Sequence, residues 1–216
     1  TASLWPFVTF AYLGLLGAPL RAGLAAPHTA LGRATGLLID LLGESDLDDI
    51  LRVALSRLRG VDLPEDAGDL LARLRAEFEL RAVETEPYIC EQFLSVGFRQ
   101  SMWGEAIVAV RAGGASKTDG EMIAALAEAL ALLDPVARAR AGMDLFLTGA
   151  GGLRDRIFTK AHLVANPWLD AAIAETKSLL PGFLDKLNAI RTAERSAALM
   201  TLAFGCLRRF RAAKTA

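Results

Sequence analysis

Cysteine and histidine are scarce: the 216 residues hold only Cys90, Cys206, His28 and His162. Two distant thiols exclude a disulfide framework, and no Cys or His stands at ligand spacing from another, which excludes a zinc cluster. The thiols read as reduced and buried in a cytoplasmic protein. A Ser-His-Asp triad would have to recruit one of the two histidines, and His28 sits in a loop-like Pro-His-Thr setting. Aromatic residues make up only 7%, while alanine and leucine dominate, a balance that favours helices over sheets. Net charge is −1, so no global field draws in nucleic acid or membrane. The first twenty residues carry no charge at all. Their apolar run, Leu4 to Leu20, approaches a membrane span in length. No basic segment precedes it, and Pro6, Gly14, Gly17 and Pro19 interrupt it. It reads as a packing segment, with a signal or membrane anchor as the alternative.

What is present points to a globular chain. Hydrophobic residues are 53% and charged ones 23%, and the length allows one large domain or two small ones. Charge is unevenly spread. Residues 1–149 carry a net −7 and residues 150–216 a net +6, which hints at a surface that faces a polyanion.

One stretch resembles a phosphate-binding loop: an apolar run over 106–110, then Gly113-Gly114-Ala115-Ser116-Lys117-Thr118. The pattern G-x-x-x-x-G-K-[ST] requires glycine at positions 111 and 116. Those positions hold Arg111 and Ser116. The glycine before the lysine lets successive N–H groups curl around a phosphate. A side chain at such a left-handed position costs about 1 kcal/mol or more. No later segment offers a strand ending in Asp as a second nucleotide motif. The stretch therefore reads as a glycine-rich loop between helices, and the chain is expected to bind no ATP by itself.

Periodicity predicts helices over most of the chain. Ser45–Arg59 places Leu47, Ile50, Leu51, Ala54, Leu55 and Leu58 on one face. Further helices are predicted from Pro64 through Phe78, from Pro87 through Leu94, and over Met122–Leu133, ended by Asp134-Pro135. Leu145–Thr148 and Arg156–Thr159 look extended around the turn-rich Gly149-Ala-Gly-Gly152, which predicts a small β-hairpin near 145–160. Asn166-Pro167 opens a helix through Leu180 with a predicted break at Pro181-Gly182. A last helix runs from Phe183 to Lys214. The fold class is mainly α, as a single multi-helix domain over 1–216.

The C-terminal third carries an ordered set of features. Leu145-Phe-Leu-Thr148 precedes a glycine turn and Leu153-Arg-Asp-Arg-Ile-Phe-Thr-Lys160. Asn166-Pro-Trp-Leu169, Glu175 and the long run from Thr192 to Lys214 follow. Together with the Gly-Gly-x-Ser-Lys-x-Asp core of Gly97–Leu133, this order resembles AddA-type, UvrD/RecB-like double-strand-break repair helicase-nucleases. The region concerned is subdomain 1B, the helical insertion of the first motor domain. Phe210 stands where that family has Tyr before the terminal lysine, and Gly151-Gly-Leu-Arg154 replaces its usual turn. The first thirty residues match nothing in it.

The resemblance implies a DNA-handling accessory domain of an ATP-dependent 3′–5′ helicase with a distant exonuclease domain. Such a protein works in repair and recombination with a partner subunit on broken DNA ends. ATP and Mg²⁺ would belong to the parent's motor, so no catalytic, cofactor-binding or metal residue is assigned to this chain. DNA at a single-strand/duplex junction and the rest of the motor are the implied partners, and a membrane is not. The candidate DNA contacts are Arg154, Arg156 and Lys160, with a second set of Arg208, Arg209, Arg211 and Lys214. The alternative is a free-standing helical ligand-binding or regulatory domain.

Overall fold

Thr85, Ser116 and Asp134 each stand one residue before a helix, and the side-chain oxygen of each accepts a backbone N–H from its first turn. Such oxygens satisfy donors that have no partner inside the helix. The computed structural model describes residues 28–30, 32–38, 50, 53, 54, 57 and 67–215. Its named helices are α1 (Ala67–Glu77), α2 (Glu86–Val96), α3 (Gln100–Ala112), α4 (Lys117–Ala131), α5 (Pro135–Leu145), α6 (Lys160–Ala165) and α7 (Pro167–Thr215). The mainly α expectation holds, and no strand forms among the described residues. The apolar run over 4–20 lies outside them, as does most of the predicted 45–59 helix, of which residues 50, 53, 54 and 57 are helical.

The contacts divide into two compact units, Leu80–Ile190 and a second drawn from Thr1–Glu79 with Arg191–Ala216. In the first, α2 packs on α5, α5 on α4 and α4 on α3. Its centre is aromatic. Trp103, on α3, is fully buried; its ring lies 5.9 Å from that of Phe98 and meets Phe146 edge-on at 5.3 Å. Phe93 and Phe98 stack at 6.1 Å, and Phe183 of α7 meets Phe93 edge-on at 5.5 Å. Rings in these arrangements add about 0.5–1.5 kcal/mol per pair beyond their burial. The indole N–H donates to the Gly97 carbonyl at 3.2 Å, which also accepts the Thr176 hydroxyl at 2.9 Å. Leu169, Ile173, Leu180, Leu187 and Ile190 bring one face of α7 into the same core. Gly142 is required here, because a Cβ at that position would stand 2.8 Å from the Phe98 ring.

The second unit is built on the C-terminal part of α7. Ala198 and Leu202 bury Ala34 and Leu38 of a helical segment over 32–38. Phe204 and Leu207 bury Leu70 of α1.

Three expectations are corrected. First, α7 has no break at Pro181-Gly182 and runs 49 residues through both. Proline removes the hydrogen bond to the Lys177 carbonyl, yet Pro181 and Gly182 face solvent while Leu180 and Leu187 anchor the helix on either side. Water can satisfy that carbonyl, so packing outweighs the usual cost of about 3 kcal/mol. Second, the hairpin reduces to a single antiparallel bridge between Leu147 and Leu153. Leu145 closes α5, and Ile157 and Phe158 are buried in the core rather than paired with a strand. Third, α4 ends at Ala131, not Leu133. Asp134 caps α5, which forces an extended Leu132, and Leu133 is 91% exposed.

Candidate nucleic-acid interface

A short glycine-rich connection turns the chain back after α5, between the bridged Leu147 and Leu153. Gly151, at φ +82°, adopts a left-handed conformation that costs a glycine little. Its N–H donates to Thr148 O at 2.8 Å, Thr148 N–H to Gly152 O at 2.7 Å, and Arg154 N–H to Phe146 O at 2.8 Å. The Arg154 Nε–H then donates back to Leu147 O at 2.7 Å. That bond fixes the stem of the side chain while the residue stays exposed. The following residues are held by Lys177 of α7, whose ammonium donates to Asp155 O at 2.9 Å. Ile157 and Phe158 enter the core, and Arg156 and Lys160 lie exposed on either side of them. Neither cation forms an ion pair among the described residues. The turn and its buried anchor thus bring the first candidate set together.

The second set falls differently. Arg208, Arg209, Arg211 and Lys214 all lie on α7 in the other compact unit. Arg208 is exposed, and the side chains of the other three lie outside the described residues.

Immediately before Lys160 is a buried polar centre that sequence reasoning missed. Asp119, in the first turn of α4, is 1% exposed. Its carboxylate accepts the Ser116 hydroxyl at 2.6 Å, the Thr159 N–H at 2.9 Å and the Thr159 hydroxyl at 3.0 Å. The Nε2 of buried His162, on α6, stands 3.5 Å away. Burial alone pushes the Asp119 carboxyl up, but the Ser116 and Thr159 donors and His162 together outweigh it and hold it below the usual range. The spacing Ser116-x-x-Asp119 is a helix-start signature readable from sequence. Thr159, forty residues away, leaves no such signal. The order of groups differs from a hydrolytic relay, in which the imidazole stands between hydroxyl and carboxylate.

Several N–H groups around the glycine loop are taken up locally. The run over 106–110 is the second half of α3, and α4 begins at Lys117. Gly113 N–H donates to Ala109 O, Gly114 N–H to Arg111 O, and Gly120 N–H to Ser116 O. The Asp119 N–H is taken by the Ser116 hydroxyl. A phosphate cradle needs such groups turned outward.

A second buried carboxylate, Glu84, joins the segment before α2 to α7. It accepts the Lys186 ammonium, the Arg81 N–H at 2.8 Å and the Arg81 guanidinium at 3.1 Å. Lys186 chiefly, then the two Arg81 donors, hold its carboxyl down at about 2.

Among the described residues no group of three or more His, Cys, Asp and Glu could hold a metal ion. No helix among them is long and apolar enough to cross a membrane. No protein-family model, no curated protein and no solved structure matches the chain.

Proposed function

We propose that this chain is a DNA-handling accessory domain of an ATP-dependent 3′–5′ helicase-nuclease of the AddA type, acting in cytoplasmic double-strand-break repair. ATP turnover and DNA cleavage belong to other parts of that protein, and the chain supplies a surface along which DNA passes. The observation that carries the reading is the Arg154–Arg156–Lys160 set. A glycine turn and a buried Ile157-Phe158 anchor hold these cations at the surface, and Arg156 and Lys160 have no acidic partner among the described residues. Cations held this way attract a phosphate backbone without reading its sequence.

The test is fluorescence anisotropy with a labelled single strand at about 50 and 200 mM salt. Three phosphate contacts give a slope of about −2 in log K against log salt, so affinity falls about 20-fold across that range. The R154E/R156E/K160E variant should lose most of the affinity and flatten the slope. Absence of salt-dependent binding by the wild-type chain would remove the proposal.

A further inference from the structure

We infer that the phosphodiester-binding surface extends across the ends of three helices and includes Arg111 and Lys117. Lys117 belongs to the broken phosphate-loop motif, to which the function above gives no role. This deepens the DNA-handling reading and rests on it.

Tertiary contacts, not the motif, carry the argument. Asp119 of α4 is bonded through both carboxylate oxygens to Thr159, the residue before Lys160. Lys117 lies two residues before Asp119, so the starts of α4 and α6, each opening on an exposed lysine, are fastened side by side. The end of α3 closes on the same point. A Cβ on Gly113 would stand 3.0 Å from the His162 ring of α6, and Arg111 lies two residues before that glycine. Two chain segments about forty residues apart, 111–119 and 156–162, thus bring Arg111, Lys117, Arg156 and Lys160 around one buried centre. All four are exposed, and none makes an ion pair among the described residues.

The buried carboxylate does not cancel them. Asp119 is turned inward onto hydroxyl, amide and imidazole groups, so its charge is spent inside the clamp. The exposed acids in these segments are Glu121 and Asp155, two against four cations. The Gly113, Gly114, Asp119 and Gly120 N–H groups are bonded locally and the four cations stand on separate elements, so the surface offers spread point charges. Spread cations suit successive phosphates of a backbone, whereas a nucleoside triphosphate needs convergent donors.

The test compares K117E with R73E in the full chain. Arg73 is an exposed cation on α1, in the other compact unit, so both variants make the same change in net charge. Each is titrated with a labelled single strand and with the matching duplex over about 50–200 mM salt. K117E should lower the slope by about 0.7 for the single strand or about 0.9 for the duplex, with an affinity loss of about eightfold at the lower salt. R73E should leave both unchanged. Response of one probe only identifies whether that backbone comes from a single strand or a duplex. Equal behaviour of K117E and R73E, whether both lose affinity or neither does, overturns the inference. If K117E is silent while R154E/R156E/K160E abolishes binding, this inference falls and the DNA-handling reading stands. A wild-type chain that binds neither probe removes both. Melting temperature checks folding throughout, since glutamate in the first turn of α4 favours the helix.

Discussion

Glu84 and Asp119 are both buried carboxylates in the Leu80–Ile190 unit, and they are satisfied in opposite ways. Glu84 is met by charge: Lys186 and Arg81 both donate to it, and these cations are consumed in holding a chain segment to α7. Asp119 is met by the Ser116 and Thr159 hydroxyls and a backbone N–H, with His162 alongside. Lys117, two residues before Asp119, and Lys160, next to Thr159, take no part. At the first site charge serves the fold, and at the second neutral donors do that work and leave the cations outside. A binding surface is recognised by such unspent charge more than by the number of basic residues.

The largest effect should come from Glu84. Glu84→Gln leaves Lys186 and Arg81 facing a neutral amide and should cost about 2–3 kcal/mol, read from urea unfolding near neutral pH. Its pH signature tests the cause. With a folded-state pKa of about 2 against 4.5 in the unfolded chain, Glu84 contributes stability above pH 4.5 and loses it as pH falls toward 2. The wild-type stability curve should therefore be steeper than that of Glu84→Gln in this window. Parallel curves would mean that the ion pairs contribute little.

Asp119→Asn comes next, at about 1–2 kcal/mol, because one amide oxygen cannot accept all the donors now aimed at two carboxylate oxygens. Oligonucleotide binding separates the sites further. The Asp119→Asn variant should bind more weakly, because the junction beneath Lys117 and Lys160 is loosened, while Glu84→Gln should leave binding unaltered. Equal binding by both variants would break the contrast.

The smallest change in stability belongs to Lys117→Glu, within about 0.5 kcal/mol and toward greater stability. A clear fall in thermal stability would show that Lys117 has a structural partner and is not available to a ligand.

Most of the helical framework was legible from local chemistry. Pro87 announces α2 and the stripe Ile123, Leu126 and Leu130 announces α4, while Asp134-Pro135 reads only as the end of α4 and neither α3 nor α5 is predicted. Two of the misreadings share a cause: a local signal was outweighed by burial elsewhere. Pro181-Gly182 reads as a stop, but the core contacts of Leu180 and Leu187 carry α7 through it. Arg156-Ile-Phe-Thr159 alternates like a strand, yet both apolar side chains enter one core. Of the interface, the exposed character of Arg154, Arg156 and Lys160 follows from their place around a glycine turn. The role of Asp119 does not, since Ser116-x-x-Asp119 signals a cap and is silent about Thr159.

The sequence by itself determined the helical class, the apolar stripes of α2, α4 and α7, and the failure of the phosphate-loop pattern at Arg111 and Ser116. These depend on interactions within a few residues, where spacing and side-chain chemistry suffice. Tertiary structure alone decided that α7 stays continuous, that Glu84 captures Lys186 from 102 positions away, and that Asp119 fastens the start of α4 to the start of α6. Each is a contact between distant segments, formed because burying a carboxylate or an apolar side chain requires a partner that local sequence does not name.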